Sequence, residues 1–191
     1  MPSSQRRSFL GTVSTAIGLS LAGCAGLQSS GADTPSKKTE SPAETPTESD
    51  PLALPSVVTR DGFPDGDVVL KPDGKIVLLN FFTTWCRPCQ EEMPAFRQLR
   101  AEYDSSKLHM VSITPEVDEM LIREFWREYE GTWPVVTDPA LAATDRWNAN
   151  SYPTNLVFER DGSPATGDSP TVRARTYEEF ASIIDPLLTE S

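Results

Sequence analysis

The segment 76–82 is apolar apart from Asn80, and directly beyond it Thr83-Thr84-Trp85-Cys86-Arg87-Pro88-Cys89 leads into Met93, Phe96, Leu99 and Tyr103 at helical spacing. So apolar a run reads as a strand buried on both faces, and the stripe after it as a helix with one face inward, reaching to about Asp104. Strand and helix meet at the two cysteines. A strand buried on both faces needs cover on both, which restricts the chain to an α/β protein built on a central sheet. Pro94 falls inside the helix and is expected to kink it.

The remaining elements fit around this unit. Val68-Val69-Leu70 and a turn at Lys71-Pro72-Asp73-Gly74-Lys75 precede the central strand. Further strands are expected at 108–114, at Trp133-Pro134-Val135-Val136 and at 155–158, the last turning at Asp161-Gly162. Helices are expected over 117–129, where Leu121, Phe125 and Tyr129 stand four apart, and over 140–147. Phe125 and Trp126 read as core or groove wall. The last helix opens at Thr176, where Thr176 and Glu179 fit a reciprocal capping box, and Phe180, Ile183, Ile184 and Leu187 form its inward stripe. Pro186 is expected to end or bend it. The βαβ order, then a strand hairpin and a terminal helix, predicts a mixed sheet with helices on both faces. One domain, 52–191, holds all of it.

The segment before residue 52 reads differently. Arg6 and Arg7 precede an uncharged run over 8–23 that ends in Leu21-Ala22-Gly23-Cys24. That run is shorter than the roughly 20 apolar residues that span a bilayer. It reads as an export signal over 1–23. Arg6-Arg7-Ser8-Phe9-Leu10 resembles a twin-arginine signal and Leu21-Ala22-Gly23-Cys24 a lipoprotein cleavage box, which makes Cys24 the residue to be lipidated. The alternatives are cleavage nearby with Cys24 incidental, or an uncleaved anchor. Residues 24–51, rich in Ser, Thr, Pro and Glu, hold too little apolar surface to fold and read as a linker. Such a chain works at the extracytoplasmic face of the membrane, tethered by lipid.

Charge and cysteine usage exclude several functions. With 28 acidic against 17 basic residues the net charge is -11, which argues against a nucleic-acid partner. The acids are spread along the chain and give a solvated surface of a kind that suits a salt-rich medium. Three cysteines cannot form a structural disulfide framework.

Cys86 and Cys89 stand three residues apart, a spacing shared by zinc sites and redox sites. Zinc needs a second such pair or histidine ligands, and His109 is the only histidine. Copper held by two thiolates, with or without His109, stays open. The redox reading gains from location. At a helix N-terminus unpaired N–H groups and the helix dipole stabilise a thiolate, and adjacent Arg87 adds positive charge, so Cys86 is expected to attack. Cys89, one turn inward on the same face, is expected to resolve. Pro88 suits a first turn, where its missing N–H has no partner to lose. The two sulfurs carry the electrons, so no cofactor or metal is needed.

The stretch Val77-Leu78-Leu79-Asn80-Phe81-Phe82-Thr83-Thr84-Trp85-Cys86-Arg87-Pro88-Cys89-Gln90-Glu91-Glu92-Met93-Pro94 resembles the active-site segment of the TlpA/ResA group. The likeness continues through Trp133-Pro134-Val135-Val136-Thr137-Asp138-Pro139, Tyr152-Pro153-Thr154 and 156–162. The resemblance implies a thioredoxin-like fold and a membrane-anchored thiol-disulfide oxidoreductase. Pro153 resembles the cis-proline facing the cysteines, with Tyr152 and Thr154 beside it and Trp85 on the other side. Glu92 matches a carboxylate that assists proton transfer, and Asn80 stands where thioredoxin proper has a buried aspartate. Tyr152 is bulkier than the small aliphatic residue expected there. The implied partners are protein disulfides, apocytochrome cysteines among them, and a membrane redox donor, with the domain a monomer. The implied direction is reduction. Thr83-Thr84-Trp85-Cys86 also fits the Thr-x-x-Cys of thiol peroxidases, although Leu79 stands where their proline is expected.

Overall fold

A computed structural model describes residues 51–58 and 66–189. The expected signal, Cys24 and, apart from Pro51, the linker lie outside the described residues. Among those described, the elements follow as β1 (Ala53–Val58), β2 (Asp67–Val69), β3 (Ile76–Phe81), α1 (Arg87–Glu102), β4 (Leu108–Thr114), α2 (Glu119–Glu128), β5 (Val135–Thr137), α3 (Ala142–Arg146), β6 (Thr154–Phe158), β7 (Thr171–Val172) and α4 (Tyr177–Thr189).

One sheet runs in the order β2-β1-β5-β4-β3-β6-β7. Strands β3, β4 and β5 are parallel neighbours, while β6 pairs antiparallel with β3 and β1 antiparallel with β5. Both parallel crossovers step the same way across the sheet, so right-handed connections put α1 and α2 on one face. Every residue of β3 is buried, as its apolar run requires. Ile76, Leu78 and Phe82 pack with Met93, Phe96 and Leu99 of α1, Phe125 and Trp126 of α2, and Phe180 and Ile184 of α4. Val77, Leu79 and Phe81 pack on the other face with Val111, Ile113, Leu156 and Ala143 of α3. Full burial of side chains this size contributes about 1.5–3 kcal/mol each. The result is the mixed sheet covered on both faces that the element order predicts.

Several boundaries differ for identifiable reasons. Asp118 caps α2, its Oδ1 accepting the N–H groups of Met120 and Leu121 at 3.1 Å each, so the helix starts two residues later than the apolar pattern suggests. Its inward stripe is Ile122, Phe125 and Trp126, and Leu121 is exposed. Phe125 and Trp126, three and four residues after Ile122, place that stripe on the core, where Trp126 meets Trp133 edge-on with centroids 5.0 Å apart. Helix α3 is shorter than expected because Asp138 anchors its start: Oδ2 accepts from Ala143 N at 3.1 Å and Thr144 N at 2.9 Å. Pro186 does not end α4, which continues to Thr189. The helix N-terminus has the expected box, with Thr176 N donating to Glu179 Oε2 at 3.2 Å and Glu179 N to Thr176 Oγ1 at 3.3 Å. No helix among the described residues is long and apolar enough to cross a membrane.

Candidate active site

Because β3 is buried and ends at Phe81, its chain must turn at the sheet's C-terminal edge, and α1 begins there. Cys86 is the N-cap of α1, in extended conformation, and its Sγ accepts the N–H of Cys89 at 3.3 Å. Cys86 and Cys89 form a disulfide, with Cα atoms 5.3 Å apart. Both are buried, whereas Trp85 is 73% exposed beside them. The sulfur of Cys86 thus receives a first-turn N–H at the positive end of the helix dipole. Pro88 lies in that first turn. Arg87 is exposed and paired with Glu91 at 3.1 Å, so its charge is shared with a carboxylate, and the helix terminus is the close source of positive potential.

The loop before Cys86 is strapped down. Glu116, beyond β4, accepts from Thr84 N at 2.8 Å and Thr84 Oγ1 at 2.7 Å, and from Thr114 Oγ1 at 3.0 Å. From the helix side, Gln90 Nε2 donates to the Thr84 carbonyl at 2.8 Å.

Glu92 lies one turn after Cys89 on the buried face of α1, 2% exposed at its side chain. A row of polar residues crosses the sheet beneath it, since Ser112 of β4, Asn80 of β3 and Asn155 of β6 are register partners. Trp133 Nε1 donates to Ser112 Oγ at 2.9 Å, Ser112 Oγ to Asn80 Oδ1 at 3.0 Å, and Asn80 Nδ2 to Asn155 Oδ1 at 2.9 Å. Asn155 Nδ2 then donates to Glu92 Oε1 at 3.2 Å. Arg175, between β7 and α4, reaches the same carboxylate, Nη1 to Oε1 at 2.7 Å. Burial raises the Glu92 carboxyl to about 7, with Arg175 and Asn155 acting the other way.

The Tyr152–Pro153 bond is cis. Thr154 pairs with Phe81, which brings this turn to the end of β3 that leads to Cys86. Arg175 Nη2 stands 3.5 Å from the Pro153 carbonyl, so one guanidinium spans Glu92 and Pro153. Tyr152 is half-buried and packs against both cores; burial, then the Asp138 and Glu116 carboxylates, raise its phenol pKa.

The structure therefore gathers Cys86, Cys89, Glu92, Pro153, Trp85, Tyr152 and Thr154 at one edge of the sheet, together with Glu116, Asn155, Ser112 and Arg175, which the sequence does not single out. Ser112 and Asn155 left a trace there, Ser112 as a polar residue within an apolar strand, as Asn80 is, and Asn155 as the polar start of another. Glu116 and Arg175 lie in loops and left none. His109 stands apart in β4, its Nε2–H donated to the Val69 carbonyl at 2.9 Å, and burial lowers it to about 4, which keeps the imidazole neutral at pH 7. Among the described residues, no three His, Cys, Asp or Glu side chains gather as a metal site.

Comparison with known proteins agrees with this geometry. A family model described as Redoxin matches residues 55–170, more than half of the chain. The thioredoxin-like protein YneN of Bacillus subtilis is 40% identical over 92 residues, covering 47% of this chain and 53% of that protein. The thiol-disulfide oxidoreductase ResA of Halalkalibacterium halodurans is 28% identical over 114 residues, covering 60% of this chain and 65% of its own length. The matches thus span about half to two thirds of these relatives. In fold, a secreted disulfide oxidoreductase of Mycobacterium tuberculosis homologous to Escherichia coli DsbE superposes with TM-score 0.58 at 20% identity, over 71% of this chain and 95% of that one. The fold is thioredoxin-like.

Proposed function

The chain belongs to the redoxin family, and we propose that it works as an extracytoplasmic thiol-disulfide oxidoreductase of the TlpA/ResA kind, reducing protein disulfides. The observation that carries the reading is the Cys86–Cys89 disulfide at the N-terminus of α1, with Cys86 Sγ already receiving a helix N–H.

In the reduced protein the Cys86 thiolate attacks one sulfur of a client disulfide. A mixed disulfide forms and the client's second sulfur leaves as a thiolate, which takes up a proton. Cys89 gives its proton to the Glu92 carboxylate and attacks Cys86 Sγ. The Cys86–Cys89 bond forms, the client's remaining sulfur leaves, and the client has gained two electrons. A membrane dithiol donor returns the pair to its reduced state. Pro153, which has no N–H, and the Tyr152 backbone offer an edge against which an extended client segment lies. Trp85 supplies exposed apolar surface, Arg87 and Pro88 shape the first turn of α1, and Thr154 fixes the turn at the end of β3.

In the same reading, residues 1–23 are the export signal, Cys24 carries the lipid, 24–51 is the spacer and 52–191 the working domain. Two acyl chains provide stable retention, each buried CH2 contributing about 0.8 kcal/mol.

The test is a Cys89→Ser trap in whole cells. Client proteins held to Cys86 by a reducible bond, and lost again in Cys86→Ser/Cys89→Ser, are the expected result. An empty trap, with rapid peroxide consumption that leaves sulfenic acid at Cys86, would instead favour a peroxidase.

A further inference from the structure

Arg175 stands in a lopsided ion pair. Its side chain is 46% exposed, while that of Glu92 is 2% exposed, so the cation sits at the surface and the anion in the core. An exposed pair would contribute little. Here one partner has lost its water, and the charge it keeps depends on the groups around it. These groups are few. Cys89 shares its face of α1; β6 offers the Asn155 amide, which also approaches the Ala174 carbonyl at 3.5 Å; the segment before α4 offers Arg175. Glu179 of α4 is turned to the backbone N–H groups of Arg175 and Thr176, at 2.7 and 3.2 Å. Asn155 is itself fixed by Asn80. Among the described residues, Arg175 is therefore the cation paired with Glu92, and it also spans to the Pro153 carbonyl.

We propose that Arg175 is a positioning residue for proton transfer: it orients the buried Glu92 carboxylate and opposes its protonation, so that Glu92 can accept the proton that Cys89 loses during resolution. The inference rests on the reading of Glu92 as the base serving Cys89. In the step concerned, the Cys89 S–H proton moves to a Glu92 oxygen, the Cys89 sulfur bonds to Cys86 Sγ, and the client sulfur departs with the electron pair of the broken bond. A neutral Glu92 has no place for that proton. Burial alone would leave the carboxyl protonated at neutral pH, and Arg175 opposes this. A guanidinium suits the task, because it stays charged and its planar fork can hold a carboxylate and a carbonyl together.

The experiment uses the full chain in two forms. In the oxidised protein the Glu92 carboxyl is titrated by 13C NMR in wild type, Arg175→Gln and Arg175→Lys. In the second form Cys86 carries glutathione as a mixed disulfide, and its release by Cys89 is followed against pH. Arg175→Gln is expected to raise the Glu92 midpoint by about 1–3 pH units, to move the release profile the same way and to slow release at pH 7 by about tenfold. Arg175→Lys, which keeps the charge, restores most of both. In a Glu92→Gln background, Arg175→Gln should change nothing further. An unmoved Glu92 midpoint in Arg175→Gln overturns the proposal, as does a release profile that shifts equally with and without Glu92. If the midpoint moves but Glu92→Gln alone releases glutathione with the wild-type profile, the proposal falls through its premise, since Glu92 is then not the base.

Discussion

Asn80 Nδ2 donates to Asn155 Oδ1 at 2.9 Å across neighbouring strands, and this single bond fixes which way the Asn155 amide faces. With its oxygen occupied, Asn155 must present its N–H groups to Glu92. The same logic runs upstream through Ser112 to Trp133. Ser112, Asn80 and Asn155 each accept on one side and donate on the other, so the row is a polarised chain of donors that starts at the Trp133 indole and ends on a carboxylate. An ionised aspartate at 80 could not take this part, since it has no proton to donate.

Ser112→Ala would break that chain in its middle. The Trp133 indole N–H and Asn80 Oδ1 would lose their partner in a site where Ser112, Asn80 and Trp133 are all buried. We expect a loss of about 1–3 kcal/mol, the cost of leaving buried polar groups unmade, seen as a lower urea midpoint with an unchanged m-value. A midpoint equal to wild type would mean that the row is not a linked network.

Glu92 makes stability depend on pH. Its folded value, about 7, lies above its ordinary value of 4.5, so the folded protein binds a proton there that the unfolded chain releases. The contribution is fully present below pH 4.5 and is lost as pH rises through 7. Relative to Glu92→Gln, which has no such proton, the oxidised wild type should lose up to about 3 kcal/mol between those limits. Parallel pH–stability curves for the two proteins would contradict this. His109 acts in the opposite sense, since its folded value is lowered to about 4 and its contribution is lost as pH falls from about 6.5 toward 4. The comparison must therefore be made variant against wild type, not from the wild-type curve alone.

The strap over Thr84 gives a local readout. Glu116→Ala removes the acceptor of the Thr84 amide and hydroxyl, 32 residues away in sequence. The Thr84 N–H is then expected to exchange with solvent at least about tenfold faster, while amides of β3 keep their protection. Unchanged exchange at Thr84 would show that Gln90 alone holds the loop.

How much of this was legible beforehand follows from what each residue interacts with. The apolar run of β3 and the helical stripe of α1 are local patterns, and the cysteines lie where those patterns meet, so the sheet, its central strand and the disulfide could be read. On α2 the pattern was ambiguous, since Leu121, Ile122, Phe125, Trp126 and Tyr129 offer two overlapping stripes. Only the crossover that places α2 over Phe82 selects Ile122 and Trp126 and leaves Leu121 outside. Pro186 reads as a helix stop from its missing N–H alone, yet it stands near the end of α4, where few further bonds depend on it. Arg175 and Glu116 could not be read at all. Each acts on a residue far away in sequence, and a charged loop residue in an acidic chain carries no local mark.

Gly131 tests the packing that holds the site's floor. A Cβ built there would stand 2.4 Å from Cε2 and 2.5 Å from Nε1 of Trp126, closer than real contacts allow. The indole has little room to retreat, since its Nε1 donates to the Trp133 carbonyl at 2.9 Å and its ring packs against Phe82 and Trp133. Trp133 in turn starts the donor chain toward Glu92. Gly131→Ala should therefore cost about 1–3 kcal/mol through overpacking, lower the melting temperature and alter the near-UV signal of the tryptophans. Because the displaced Trp126 pushes on Trp133, the change should also shift the Glu92 carboxyl resonance, although residue 131 lies outside the donor chain. A destabilised protein with an unmoved Glu92 resonance would show that the aromatic floor and the polar row are mechanically separate.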